Sequence, residues 1–222
     1  MQLSPSILTA DWGCIGDEIR SVVDYVDWFH LDVMDGHYVD NLTFGPRLVE
    51  VVRAACEQPL HVHLMITDPA RFAPAFVDAG AARISFHPEV TDDVGAVIEV
   101  IARAGAGAGL AVHPDIPVET VMPHLGAIEV VLMMTVRPGF GGQEFLTEVV
   151  PKISRARSMV EETASNAEIE VDGGVNLQTV ERAVEAGGEV LVAGSAIFDG
   201  KDPRAAARRM RERLDSLASV GT

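Results

Sequence analysis

His30-Leu31-Asp32-Val33-Met34-Asp35-Gly36 sets a β-forming run against a carboxylate and then a glycine, and Ile169-Glu170-Val171-Asp172-Gly173-Gly174 repeats that layout far along the chain. Residues two apart on a strand share a face, so His30, Asp32 and Met34 point the same way. Working outward from these two stretches, short β-rich runs lie near residues 3–8, 28–34, 60–65, 83–87, 108–113, 129–135, 168–172 and 189–193. Helix-length amphipathic stretches fall between them, near 16–26, 46–56, 69–79, 92–104, 117–124, 146–162, 177–186 and 203–218. Asp68-Pro69 and Asp202-Pro203 place a capping carboxylate before proline at a first helical position, and Gly80 and Gly187 close two other helices.

Strand and helix alternate in this way from end to end, with no linker or low-complexity segment, which predicts repeated βα units around a parallel sheet. Eight such units close most economically into a (β/α)8 TIM barrel, a single α/β domain over residues 1–222. A doubly wound open sheet is the alternative, because periodicity alone does not show closure. The size agrees: 222 residues, 48% of them hydrophobic, can bury one large core, and barrels of this kind run to about 200–250 residues.

The charge balance of 17 Lys+Arg against 33 Asp+Glu, formally −16, excludes nucleic acid and anionic membrane as partners. Cys14 and Cys56, both in predicted helices, form neither a disulfide framework nor a metal-ligand spacing, which fits a cytoplasmic protein. No basic segment precedes an apolar stretch at the N-terminus, and no apolar run reaches the ~18 residues of a membrane span, so a soluble, unprocessed chain is expected. Lys152 and Lys201 are its only lysines and neither lies in a predicted strand. Schiff-base aldolases and decarboxylases built on a Lys/Asp array are thereby excluded.

Barrel enzymes carry their sites at the carboxyl ends of the strands. Asp32, Met34, His63, Met65, His87, His113, Met134 and Asp172 all lie at or near such ends. In His61-Val62-His63-Leu64-Met65 the two histidines and Met65 share one face. If both faces look inward, His30, Asp32, His63 and Asp172 converge on one divalent ion: zinc first, with iron, manganese and cobalt also suited. One histidine in such a run is ordinarily a satisfied core residue; two imidazoles and two carboxylates together outweigh that. His61 lies deeper and reads as a supporting or core residue, while His87-Pro88 fits a loop-orienting role as well as a functional one. Arg137-Pro138-Gly139-Phe140-Gly141-Gly142, Gly173-Gly174 and Gly194-Ser195 follow the last three strands. Glycine lets backbone N–H groups approach a ligand closely, and a short helix from Ser195 adds its positive end, so these turns predict a phosphate site.

These residues resemble the ribulose-phosphate 3-epimerase family over almost the whole chain. The resemblance is carried by Ser4-Pro5-Ser6-Ile7-Leu8, by the stretch from His30 through Gly36 to His37, and by Val62-His63-Leu64-Met65. It continues through Met134-Thr135-Val136-Arg137-Pro138-Gly139-Phe140-Gly141-Gly142-Gln143, Val171-Asp172-Gly173-Gly174-Val175 and Val192-Ala193-Gly194-Ser195. It implies one divalent metal on His30, Asp32, His63 and Asp172, with Asp32 and Asp172 as the acid/base pair. It also implies that Ser6 contacts substrate, that the late glycine loops hold a phosphate, and that the chain is a homo-oligomer. The chain departs from the family's usual pattern at Asp40, His61, His113 and Arg137; the last two, after the fifth and sixth strands, are placed to tune sugar selection.

The expected partner is a small-molecule ketose phosphate, and the expected reaction is the metal-dependent 3-epimerisation of D-ribulose 5-phosphate and D-xylulose 5-phosphate. Inverting a carbon beside a ketone takes a proton from one face and returns one to the other, through an enediolate, so it uses two carboxylates. His63 then also contacts substrate, and Met34, Met65 and Met134 line the plane of the intermediate. Alternatives are a 3-epimerase of a six-carbon ketose 6-phosphate such as D-allulose 6-phosphate, a metal-dependent lyase, and a non-catalytic sugar-phosphate sensor.

Overall fold

The computed structural model describes residues 1–220. Eight parallel strands form one sheet: β1 (Gln2–Pro5), β2 (Phe29–Met34), β3 (Leu60–Met65), β4 (Arg83–Phe86), β5 (Gly107–Val112), β6 (Val130–Met134), β7 (Glu168–Asp172) and β8 (Val190–Ala193). Their order is β1-β8-β7-β6-β5-β4-β3-β2, and a single parallel bridge, Ser6 to His30, brings the two ends of this ladder together. The arrangement is a nearly closed (β/α)8 barrel, not an open doubly wound sheet. Every residue of β2 and β3 is buried, as expected of strands covered on both faces.

Helices α1 (Ile15–Val22), α2 (Pro46–Arg53), α3 (Pro69–Asp78), α4 (Val94–Ala104), α5 (Val150–Glu162), α6 (Val180–Glu185) and α7 (Pro203–Val220) lie between and after the strands. Asp68 and Asp202 cap α3 and α7 by accepting from the amides of Arg71 and Ala205. Gly80 and Gly187 take the left-handed conformation, at φ +111° and +107°, after α3 and α6. The expected helix over 117–124 is instead a 3-10 helix, Val118–His124. Pro123 inside it lacks the N–H that an α-turn would use. The stretch 16–26 divides into α1 and a 3-10 turn, Val23–Tyr25, and 146–162 opens with another, Thr147–Val149. Cys14 sits in a 3-10 turn and Cys56 in the loop beyond α2, so neither is in an α-helix. Among the described residues no helix is long and apolar enough to cross a membrane.

The main core lies between barrel and helices, where Leu31, Leu60, Ile84, Leu110 and Val171 are buried against helix residues such as Ile19, Phe76, Ile101 and Ile153. A smaller apolar cluster, Ala111, Leu132, Met134 and Val136, lies apart from it. The barrel's interior also holds polar side chains, among them His30, Asp32, His61, His63, Ser85, Glu170 and Asp172.

Candidate active site

Strand register brings the chemistry together. Along β2 and β3, His30 pairs with His61, Asp32 with His63 and Met34 with Met65, so two strands present three matched rungs. On the other side β6 and β7 pair Met134 with Asp172. His30, Asp32, His63 and Asp172 each offer one ligand atom, all within 4.8 Å of one another, and all four residues are buried. His30 Nε2 is 3.3 Å from Asp32 Oδ1 and 3.6 Å from Asp172 Oδ2, while His63 Nδ1 is 3.2 Å and 3.7 Å from the same two oxygens. His30 Nε2 is nevertheless buried with no hydrogen-bond partner. An orphaned imidazole nitrogen among two carboxylates and a second imidazole fits a divalent cation.

Burial opposes charge throughout this cluster, and neighbours decide the outcome. The imidazoles of His30 and His63 overcome burial and hold Asp32 well below the usual carboxylate range. Burial and the nearby Asp32 charge push Asp172 up. Against burial, the two aspartates raise His30 and His63. A cation would replace protons as the counter-charge for these oxygens.

Above the cluster opens a cavity. Ser6, Asp32, Met34, Met65, Met134 and Asp172 line it, together with Gly139, Phe140, Gly141, Gly142, Gly173, Gly174, Gly194 and Ser195. His63 is not among the lining residues; its fully buried ring faces the carboxylates. Ser6 Oγ donates to Asp32 Oδ2 at 2.6 Å, which ties the start of the chain to one of the two aspartates. Leu8, Thr9 and Gln143 also face the cavity.

Gly173 and Gly174 leave no room for side chains. At Gly173, φ is +117° and a Cβ would lie 2.4 Å from Val136 Cγ2; at Gly174, φ is +66° and a Cβ would lie 2.5 Å from the Phe145 amide nitrogen. After β8 the expected short helix from Ser195 is only a turn, in which the amides of Ile197 and Phe198 both donate to the Gly194 carbonyl. Lys152 donates to the carbonyls of Pro114 and Ile116, and exposed Lys201 pairs with Asp199, so neither is part of the cavity wall.

His113 lines a neighbouring depression with Tyr38, Asp40 and Glu89, separated from the cavity by Pro138 and Phe140, which border both. Arg137 is committed to Asp115 through both terminal nitrogens.

Two further buried residues adjoin the cluster. Glu170 is fully buried and accepts from both His30 Nδ1, at 3.0 Å, and His61 Nδ1, at 2.8 Å. Its position two before Asp172 on one strand face was the available signal. His87 is fully buried with Nε2 3.0 Å from His63 Nε2, its ring 4.7 Å from that of Tyr38.

The sequence model of the Ribulose-phosphate 3 epimerase family matches residues 2–198. Ribulose-phosphate 3-epimerase of Mycobacterium leprae (strain TN) is 43% identical over 216 residues, covering 97% of this chain and 96% of the relative. The Bacillus subtilis (strain 168) protein of the same name is 43% identical over 95% of this chain and 98% of its own, and that of Escherichia coli (strain K12) 38% identical over 97% of each. Among solved structures, 3-hexulose-6-phosphate synthase superimposes with a TM-score of 0.74 at 20% identity, covering 96% of this chain and 99% of that one. KGPDC from Streptococcus mutans does so with a TM-score of 0.76 at 18% identity, covering 97% and 98%. These two share the barrel.

Proposed function

Because the chain belongs to the ribulose-phosphate 3-epimerase family, we propose that Asp32 and Asp172 are the acid/base pair with which it interconverts D-ribulose 5-phosphate and D-xylulose 5-phosphate as one catalytic domain. The observation that carries this reading is the convergence of both aspartates, from strands far apart in sequence, on the floor of a single cavity. One carboxylate removes the proton beside the ketone and the other returns a proton to the opposite face. Ser6, bound to Asp32 and facing the cavity, orients that carboxylate and meets the substrate. Met34, Met65 and Met134 wall the reacting carbons with polarisable, water-excluding sulfur.

His30, Asp32, His63 and Asp172 would hold one divalent ion, with zinc the first choice for two imidazoles and two carboxylates. When bound, it supplies positive charge against the oxygens that become electron-rich as the carbon loses its proton. The glycine turns after β6, β7 and β8 hold the phosphate through backbone N–H groups, supported by the close approach that their missing side chains permit. A cytoplasmic homo-oligomer completes the reading, supported by two free cysteines and by exposed Trp12 and Leu42. The relatives' shared name favours the five-carbon substrate over a six-carbon ketose 6-phosphate, and the intact aspartate pair speaks against a sensor.

The test is to assay the purified protein against five- and six-carbon ketose phosphates in deuterated water, with metal content measured in parallel. Epimerised ribulose 5-phosphate carrying deuterium at the inverted carbon is expected. Cleavage products, or conversion confined to six-carbon substrates, would refute the assignment.

A further inference from the structure

We propose that Glu170, itself held by His61, whose far nitrogen is in turn held by Ser85, is a positioning residue for His30 that selects which ring nitrogen of His30 faces the metal. The proposal rests on the metal reading of the His30, Asp32, His63 and Asp172 cluster. Glu170 reaches neither the cavity nor the solvent: it is fully buried below Asp172, two residues back on β7. Its two oxygens serve two imidazoles, Oε1 that of His30 at 3.0 Å and Oε2 that of His61 at 2.8 Å. An ionised carboxylate only accepts, so both Nδ1 atoms must carry the proton.

That requirement fixes the rest of the chain of contacts. His61 with Nδ1–H has a lone pair at Nε2, where Ser85 Oγ, 2.7 Å away, donates. With Nδ1–H committed to Glu170, the His30 nitrogen that can turn a lone pair to a cation is Nε2, the atom that lies among Asp32 and Asp172 with no hydrogen-bond partner; a bound cation there would displace any proton the two aspartates retain. The two rings stand nearly perpendicular, at 76° with centroids 5.1 Å apart, so Glu170 braces them as a corner. His61 is thus neither an extra ligand nor core filler. It keeps the second oxygen of Glu170 occupied, and with it the carboxylate's orientation.

Two measurements with zinc as the probe test this. In the 15N-labelled, zinc-loaded protein, NMR is expected to show His30 protonated at Nδ1 and bound through Nε2; a proton on Nε2, or zinc on Nδ1, overturns the proposal and needs no variant. Zinc affinity, read by chelator competition on folded protein, is expected to fall about 10–100-fold in Glu170→Ala. Glu170→Gln keeps an acceptor for His30 while His61 changes tautomer, so it is expected to recover part of that loss. Zinc binding by Glu170→Ala equal to that of the unsubstituted protein overturns the positioning role alone, whereas absence of zinc binding by the unsubstituted protein overturns the metal reading and this proposal together.

Discussion

His63 Nε2 and His87 Nε2 face each other at 3.0 Å, so one imidazole must donate to the other. Burial pulls His87 down to about 4 despite its contact with Glu89, which leaves it neutral near pH 7 and able to accept. With His63 donating from Nε2, its Nδ1 is hydrogen-bonded to Asp32 Oδ1 at 3.2 Å and lies 3.7 Å from Asp172 Oδ2, where a bound cation would take the place of the Nδ1 proton. His87 Nδ1 turns to Glu89 Oε1 at 3.5 Å, and Tyr38 donates to that same oxygen. Both candidate histidine ligands are therefore backed from behind, His30 by a carboxylate and His63 by a neutral ring.

Replacing His87 by Leu removes that acceptor while keeping apolar volume. Divalent-ion affinity is expected to fall about 10–100-fold, measured by titration of metal-free protein. Unchanged affinity in the folded variant would show that His63 needs no support from β4.

Asp172→Asn removes one proton-transfer group and one anionic ligand. Turnover is expected to fall by at least ~10²–10⁴, measured by coupled assay and by exchange of the substrate proton with deuterated water. Near-normal exchange in a folded Asp172→Asn protein would place the second acid/base group elsewhere.

Lys201→Ala tests how the phosphate is held. Lys201 is exposed and paired with Asp199, and the cavity wall consists of glycine turns instead. KM is expected to stay within about two-fold, since exposed ion pairs contribute little. A large rise in KM would show that side-chain charge anchors the phosphate.

Asp35 ties two loops together at the barrel mouth, accepting from the amides of His37 and Tyr38 on one oxygen and from the amide and hydroxyl of Thr67 on the other. Slight burial opposes its charge, but the Thr67, Tyr38 and His37 amides hold it down to about 2. A carboxylate depressed on folding contributes stability that is complete above its unfolded value near 4 and disappears as pH falls toward 2. Asp35→Ala is expected to cost about 1–2 kcal/mol at pH 7. The difference in Tm from the unsubstituted protein should narrow between pH 5 and pH 3; a constant difference would mean that the loop contacts do not depend on the charge.

The barrel is legible because most β-runs end at or just before a glycine or a titratable residue and are followed by a helix-length stretch, so strands and site announce each other. Period-two spacing puts His30 and Asp32 on one strand face, while His63 and Asp172 join them through their place at the ends of other barrel strands and through the family resemblance. Glu170 was not singled out, although it has the same spacing from Asp172, because its partners lie 109 and 140 residues away and only register brings them close. The role of His87 likewise depends on the neighbouring strands β3 and β4. At 118–124 amphipathic spacing pointed to an α-helix, but Pro123 and a tighter turn prevailed. Beyond Gly194 the chain turns once and stops short of a helix, a difference that composition does not encode.

The seam of the barrel gives the site a mechanical side. The ladder ends meet where Ser6 bridges to His30, and next to that bridge Ser6 grips Asp32. An ion held from β2, β3 and β7 would span this seam like a buckle on a hoop, because β1 and β8 lie between the strands it would join. Loading the site would therefore tighten the staves, and ion concentration would then control resistance to heat and proteolysis as well as turnover.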